Sequence, residues 1–273
     1  PITPYPPGVP LVYPGERIRQ VHIEFLRDGW YTDTASICVM DGDFLRKGGT
    51  VMTFASLLGN EELKAAWQHA LHGRFPQSIL LTGPKGIGKL TAARVLTMAL
   101  LCESTGEKPC GQCAACRKVE QNYHSDVTCI DAGDAEIKVD TARRIRSECA
   151  VYPGDSDRRI FLIRHAQNMN AAAQNALLKL LEEPPEYAFF ILMTENESAI
   201  LPTILSRCTQ YAMVPLDTGC VMQLLRRQYP DKDSAVLQCA AAGCQGIAGD
   251  ALAALSDEAE EMTQLAGEFL RAL

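Results

Sequence analysis

A glycine-rich run between an apolar segment and a helical segment constrains the fold of this chain more than any other feature. Residues 79–81 are Ile-Leu-Leu and predict a short buried strand, and residues 91–101 predict a helix. The loop between them reads GPKGIGK, residues 83–89. Glycines let the backbone turn so that successive N–H groups face a phosphate, and the helix N-terminus adds partial positive charge. A strand, a glycine loop, a lysine and a helix in this order are typical of a P-loop.

The loop supplies candidate phosphate ligands but departs from the P-loop pattern at one position. The candidates for binding ATP or ADP are Gly83, Lys85, Gly86, Gly88, Lys89 and Thr91. The hydroxyl residue that should follow the lysine and hold Mg²⁺ is replaced by Leu90. Thr91 comes one residue later, and on a helix it points about 100° away. The pattern predicts a loop that holds phosphate but binds the metal poorly. The alternative is a strand-to-helix turn that has kept its shape and lost its ligand.

Four cysteines within fifteen residues predict a metal site. Cys102 precedes the run Cys110-Gly-Gln-Cys113-Ala-Ala-Cys116, in which two C-x₂-C spacings share Cys113. Four thiolates can converge on a tetrahedral zinc ion, and thiolates select zinc over magnesium. Because cysteine fills all four positions, no coordination position stays open for catalysis, so we expect a structural zinc in residues 102–116.

Strands and helices alternate along the middle of the chain. Beyond the P-loop, apolar runs predict strands over residues 127–130, 159–164 and 187–194. Helices are predicted over residues 57–73, 139–152 and 171–183, and the chain beyond residue 216 reads as helical. This order favours an α/β fold with a parallel sheet covered by helices on both faces. The predicted domains are a P-loop domain over residues 52–215 and a small all-helical lid over residues 216–273.

Composition excludes several classes of protein. The formal net charge of −7 argues against nucleic-acid binding over the whole surface. No apolar run approaches the roughly 20 residues of a membrane helix. Eleven cysteines, without the basic and apolar regions of a secretion signal, suit a reducing compartment. We therefore expect a cytoplasmic protein.

Residues 1–51 do not resemble the start of the P-loop domain. Six prolines fall within the first fourteen residues and favour extended geometry. The segment PYPPGVPLVYPGE resembles the C-terminal portion of the ornithine/lysine/arginine decarboxylases, but it carries none of that family's cofactor lysine region. We expect no decarboxylase activity, and we interpret the segment as a fusion, a read-through or a gene-call artefact ahead of a start at Met52. The alternative is a genuine N-terminal extension.

Several motifs together resemble one family. These are the P-loop, the cysteine cluster, LLKLLEEPP at residues 177–185 and the triplet Ser206-Arg207-Cys208. Residues 52–255 resemble the bacterial DNA polymerase III clamp-loader subunits, AAA+ proteins of the gamma/tau and delta-prime type. The resemblance implies an AAA+ P-loop domain followed by a helical lid. It also implies a third, collar domain, which we expect to be absent because the chain ends in a helical segment at residues 258–273.

The resemblance also implies a function in DNA replication. Such a loader opens a ring-shaped sliding clamp and closes it around primed DNA, with ATP held between subunits. Arg207 then corresponds to the arginine finger that reaches the nucleotide of a neighbouring subunit, for which a permanently charged guanidinium is suited. The alternative for Arg207 is a structural salt bridge. The implied partners are the gamma/tau and delta subunits, the sliding clamp and, through the assembled complex, primer-template DNA.

Three departures from the family pattern favour the delta-prime type, an ATPase-inactive stator. Arg164-His165 stands where active members carry an acidic pair, Leu90 replaces the metal-binding hydroxyl, and Gly249 occupies the position of a sensor arginine. Phosphoryl transfer depends on positioning and charge stabilisation, so these losses should remove most catalysis. Thr194 and Asn196 lie at the position of a polar sensor and are expected to contribute little.

Three alternatives stay open. One is an active gamma/tau-type ATPase, which an ATP turnover assay would reveal. Another is a decarboxylase fragment with an appended domain, which the missing cofactor region disfavours. The third is a nucleotide-independent DNA-binding scaffold, which the negative net charge disfavours.

Overall fold

The structure is a computed structural model and describes residues 51–256. The described residues all belong to one compact unit. The predictions for residues 1–50 and for the helix at residues 258–273 fall outside the described residues. Met52, the expected start, is buried in the core.

A five-stranded parallel sheet forms the centre of the fold. The strands are β1 (Ser78–Thr82), β2 (Val127–Ile130), β3 (Arg159–Ile163), β4 (Ala188–Thr194) and β5 (Thr209–Ala212). Their order across the sheet is β2-β3-β4-β1-β5, and all four pairings are parallel. Every residue of β4 is buried, as expected for a continuous apolar run at the middle of a covered sheet.

Nine α-helices accompany the strands within residues 51–256. They are α1 (Glu61–Leu71), α2 (Lys89–Leu101), α3 (Ala114–Glu120), α4 (Val139–Cys149), α5 (Ala171–Glu182), α6 (Pro202–Leu205), α7 (Thr218–Gln228), α8 (Ser234–Gly243) and α9 (Ala248–Ala253). The predicted helix over residues 57–73 is therefore too long at its start. Gly59 and Asn60 have φ of 64° and 52°, in the left-handed region, so the helix cannot begin before Glu61.

The two faces of the sheet carry separate hydrophobic clusters. Side chains alternate along each strand, so Ile79 and Leu81 face one cluster while Leu80 faces the other. The first cluster contains α1, α2 and α3, and the second contains α4, α5 and α6. In the second, the rings of Phe161 and Phe190 stack with centroids 5.1 Å apart. The predicted α/β architecture, with helices on both faces, is confirmed.

Helices α7, α8 and α9 have a small core of their own, which we call the lid. Asp217 and Asp233 cap α7 and α8, because their carboxylates accept hydrogen bonds from backbone N–H groups of the first turns. The apolar faces meet around Val221, Leu225 and Leu237. Among the residues that the structure describes, no helix is both long and apolar enough to cross a membrane.

Candidate nucleotide site and cysteine cluster

The glycine loop joins the carboxyl end of β1 to the start of α2, as the sequence predicts. Gly88 precedes the helix with φ of 100°, a conformation that a residue with a Cβ rarely adopts. The ammonium group of Lys89 donates hydrogen bonds to the carbonyl oxygens of Gly83 at 2.7 Å and Pro84 at 2.8 Å. Burial lowers the pKa of Lys89, and the carboxylate of Glu195 opposes that shift. The lysine side chain is thus folded back onto the loop, where it would contact a bound phosphate.

A cavity of about 1050 Å³ lies over the loop, and the lid forms its opposite wall. The predicted phosphate ligands that line it are Lys85, Gly86, Gly88, Lys89 and Thr91. Gly83 contributes instead through the carbonyl group that accepts a hydrogen bond from Lys89. The fold therefore places these predicted residues at one site, where an open parallel sheet usually holds its ligand.

The carboxyl end of β3 presents an arginine and a histidine to this cavity. Arg164 follows β3 directly, and its guanidinium donates a hydrogen bond to Asp131 in an ion pair. His165, with φ of 49°, lies between two carboxylates, with Nε2 3.8 Å from Asp131 and Nδ1 3.8 Å from Glu195. All four residues line the cavity. The positions 164 and 165 thus offer no carboxylate to a divalent metal, as the sequence predicts.

Asp131 and Glu195 were not predicted from the sequence as site residues. Each follows a strand, β2 and β4 respectively, and these strands flank β3 in the sheet. Their signal in the sequence is an acidic residue directly after an apolar run. That signal was available, but the neighbourhood depends on strand order.

The polar groups of Thr194 and Asn196 serve the loop after β4. The Thr194 hydroxyl donates to the Asn196 carbonyl oxygen at 2.9 Å and accepts from its N–H at 3.1 Å. The Asn196 side chain accepts from the N–H of Ser198 at 3.1 Å. Neither residue lines the cavity among the described residues. They shape the loop rather than face the site.

The lid contacts the P-loop through two glycines. The Gly249 N–H donates to the Gly86 carbonyl oxygen at 2.9 Å. A Cβ built on Gly249 would lie 2.6 Å from the Gly86 Cα, closer than real contacts allow. A side chain at this position, including an arginine, is therefore incompatible with this closed arrangement.

Arg207 lies away from the cavity of its own chain. It follows α6, and its guanidinium donates to the Thr203 carbonyl oxygen at 2.9 Å and to the Glu182 carboxylate at 3.1 Å. Its side chain is 30% exposed. Among the described residues Arg207 does not line the P-loop cavity, so the fold does not bring these two predicted sites together.

A buried glutamine, which the sequence did not predict as important, fixes the segment leading to α6. The Gln174 side-chain amide donates to the carbonyl oxygens of Met169 and Ala199, both at 3.0 Å, and accepts from the Leu201 N–H at 2.8 Å. Three hydrogen bonds from one buried side chain hold the loops after β3 and β4 together. A glutamine within a helical stripe gives no signal of this role in the sequence.

The four predicted cysteines converge. The sulfur atoms of Cys102, Cys110, Cys113 and Cys116 all lie within 4.8 Å of one another. Backbone N–H groups point at the sulfurs, for example from Cys113 to Cys110 at 3.3 Å and from Cys116 to Cys113 at 3.4 Å. Hydrogen bonds from the backbone of Gln112 and neighbouring groups lower the pKa of Cys110 to about 6, despite burial. Burial raises the pKa of Cys116. Four converging sulfurs fit a tetrahedral metal ion, so the cluster could hold one.

Solved structures with a similar fold support the architecture. The Thermotoga maritima RuvB Holliday junction branch migration motor is 16% identical and matches with a TM-score of 0.50, over 73% of this chain and 61% of that one. This likeness concerns the fold alone.

Sequence comparisons identify the family. The chain is 35% identical over 214 residues to DNA polymerase III subunit tau of Escherichia coli K12. The alignment covers 76% of this chain and 33% of that protein. It is 33% identical over 155 residues to DNA polymerase III subunit delta' of Bacillus subtilis 168, covering 57% of this chain and 47% of that protein. The match thus spans a third to a half of these relatives. Residues 59–217 match the family model described as DNA polymerase III, delta subunit. This match covers more than half of the chain, which therefore belongs to that family.

Proposed function

We propose that this chain is a clamp-loader subunit of the delta-prime type, which does not hydrolyse ATP itself and lends Arg207 to the nucleotide of a neighbouring subunit. The observation that carries the proposal is the pair Arg164-His165 at the carboxyl end of β3. A metal-assisted phosphoryl transfer needs a carboxylate there and a hydroxyl at position 90, and the chain has a guanidinium, an imidazole and a leucine.

The position of Arg207 supports the second half of the proposal. Its side chain is partly exposed and lies away from the chain's own cavity, and hydrogen bonds to the Thr203 carbonyl and Glu182 hold it in place. An arginine that cannot reach its own P-loop can serve one in a partner. The proposed partners are gamma/tau and delta subunits, the sliding clamp and primer-template DNA. The proposed metal of the cysteine cluster is a structural zinc.

The test compares two substitutions in the assembled loader. We expect Arg207→Ala to reduce DNA-stimulated ATP hydrolysis and clamp loading, because a trans-acting arginine contributes on the order of 10³ or more to turnover at the site it serves. The loss in bulk hydrolysis is smaller, since one site among several is affected. Lys89→Ala should leave hydrolysis nearly unchanged.

Arg226→Ala is the matched control, because Arg226 is an exposed arginine on lid helix α7. It should leave both activities unchanged. If Lys89→Ala abolishes hydrolysis while Arg207→Ala does not, the stator assignment is wrong.

An active gamma/tau-type ATPase is the second candidate. The carboxylates of Asp131 and Glu195 favour it, because both line the cavity and flank the position that lacks an acid. ATP turnover by the isolated chain, lost in Lys89→Ala, would establish this function instead.

A further inference from the structure

The P-loop cavity combines a phosphate-binding loop with a fixed cation. In P-loop enzymes a divalent metal bridges the phosphate oxygens and is held by the hydroxyl after the lysine and by an acidic residue on a neighbouring strand. Here Leu90 lines the cavity at the first position, and Arg164 lines it at the end of β3. Neither a leucine nor an arginine side chain can ligate Mg²⁺, so these two positions do not fit the metal.

Arg164 is well placed to contact a phosphate. Its side chain is 20% exposed, and it lines the same cavity as Lys85 and Lys89. A guanidinium carries its charge at every relevant pH and has five N–H donors, which suit phosphate oxygens. The ion pair with Asp131 occupies Nη1 and holds the group in position.

We propose that this cavity binds a nucleoside di- or triphosphate without a divalent metal, with Arg164 and Lys89 supplying the positive charge that Mg²⁺ supplies in active P-loop sites. The proposal rests on the proposed function only in taking the site as non-catalytic. Nucleotide bound in this way is a fixed ligand between P-loop and lid, because positions 90, 164 and 165 carry a leucine, an arginine and a histidine in place of the groups that hold the metal and activate the water.

Charge balance explains why the cation must come from the protein. A di- or triphosphate brings several negative charges, and the cavity already contains Asp131 and Glu195. Opposite charges in a partly enclosed cavity attract each other strongly, and like charges repel each other as strongly. Lys85 and Lys89 without Arg164 would leave the phosphates undercompensated, so the guanidinium strengthens their binding.

The test measures the Kd of the full chain for ADP and for ATP by calorimetry, once with excess Mg²⁺ and once with excess EDTA. We expect the two conditions to differ by less than about threefold, which is under about 0.7 kcal/mol. A loss of about tenfold or more on chelation, or no binding in either condition, overturns the proposal.

The two partners of the Arg164–Asp131 ion pair give opposite predictions. Arg164→Gln should weaken metal-free binding by about tenfold or more, because a hydrogen bond to a charged group is lost. Arg164→Lys should restore part of it. Asp131→Asn keeps the guanidinium and removes a competing carboxylate, so it should bind at least as tightly as the wild type.

A merely structural ion pair would be damaged equally by either change, so equal weakening in both variants refutes the role of Arg164. Arg146→Gln, on the exposed face of α4, is the control and should leave the Kd unchanged. These measurements use the isolated chain, whereas the role of Arg207 is measured in the assembled loader. The failure of one proposal is therefore distinguishable from the failure of the other.

Discussion

Replacing Gly249 by alanine tests whether the contact between lid and P-loop stabilises the chain. The added Cβ would lie 2.6 Å from the Gly86 Cα and 3.0 Å from the Gly86 carbonyl oxygen. Both are backbone atoms that cannot rotate away, so the lid must shift and the 2.9 Å hydrogen bond between these residues is strained. Overpacking costs about 1–3 kcal/mol. The higher helix propensity of alanine offsets less than about 1 kcal/mol. We expect a net loss of about 1–2 kcal/mol in the free energy of unfolding.

The assay is thermal unfolding of the full chain together with hydrogen exchange at the P-loop amides. For a chain of this size, each kcal/mol lowers Tm by about 2–4 °C. Exchange should rise at residues 83–88 and in α9, because the lid no longer covers the loop. Gly243→Ala is the control, since nothing lies within 4 Å of its Cβ and it ends α8. If both variants have the same Tm and the same exchange as the wild type, the contact contributes nothing.

Two further predictions concern the cysteine cluster and a buried aspartate. Cys110→Ser and Cys113→Ser should each lose bound zinc, measured by elemental analysis, and unfold at lower temperature. The exposed Cys239→Ser should keep the metal, and zinc retained in both cluster variants would contradict the assignment. The Asp126 side chain is 1% exposed and accepts hydrogen bonds from the N–H groups of Gly154, Asp155 and Ser156. Asp126→Asn should therefore lower the free energy of unfolding by about 2–3 kcal/mol. Burial acts to raise the Asp126 pKa, but these hydrogen bonds outweigh it and the pKa is lowered. The stabilisation is therefore fully present above the ordinary aspartate pKa of about 3.9 and is lost as the pH falls through the lower pKa of Asp126 in the folded chain. In acid titrations of stability, Asp126→Asn should lack this pH dependence.

The strands of the sheet centre were predictable because they are buried on both faces. The predicted strand over residues 127–130 matches β2, and the predictions over residues 159–164 and 187–194 differ from β3 and β4 by one residue each. The edge strand β5 was missed. Its sequence is Thr-Gln-Tyr-Ala, and three of its four residues are exposed, so it lacks the apolar run by which the others were found. A polar edge strand depends on the hydrogen bonds of its neighbour β1, which the sequence alone does not reveal.

Helix ends and the site were predictable to different degrees. The helix predicted over residues 139–152 ends at Cys149, because Val151 and Tyr152 are exposed and have no core to join. At the site, the P-loop and Arg164 follow from local pattern. Asp131 and Glu195 reach His165 only through strand order, since β2 and β4 flank β3. Local chemistry was therefore visible in the sequence, and contacts across the sheet were not.

The glycines of the P-loop serve a second purpose that is independent of any ligand. A Cβ on Gly83 would lie 3.2 Å from the Met213 carbonyl oxygen, in the segment that leads to the lid, and a Cβ on Gly86 would lie 3.0 Å from the Ile247 side chain. Both glycines therefore let other parts of the chain approach the loop closely. A loop with this packing role must keep its shape whether or not catalytic groups surround it. The glycine pattern thus reports on shape, whereas Leu90, Arg164 and His165 report on chemistry. A well-formed P-loop is therefore compatible with the proposed role as a subunit that does not hydrolyse ATP.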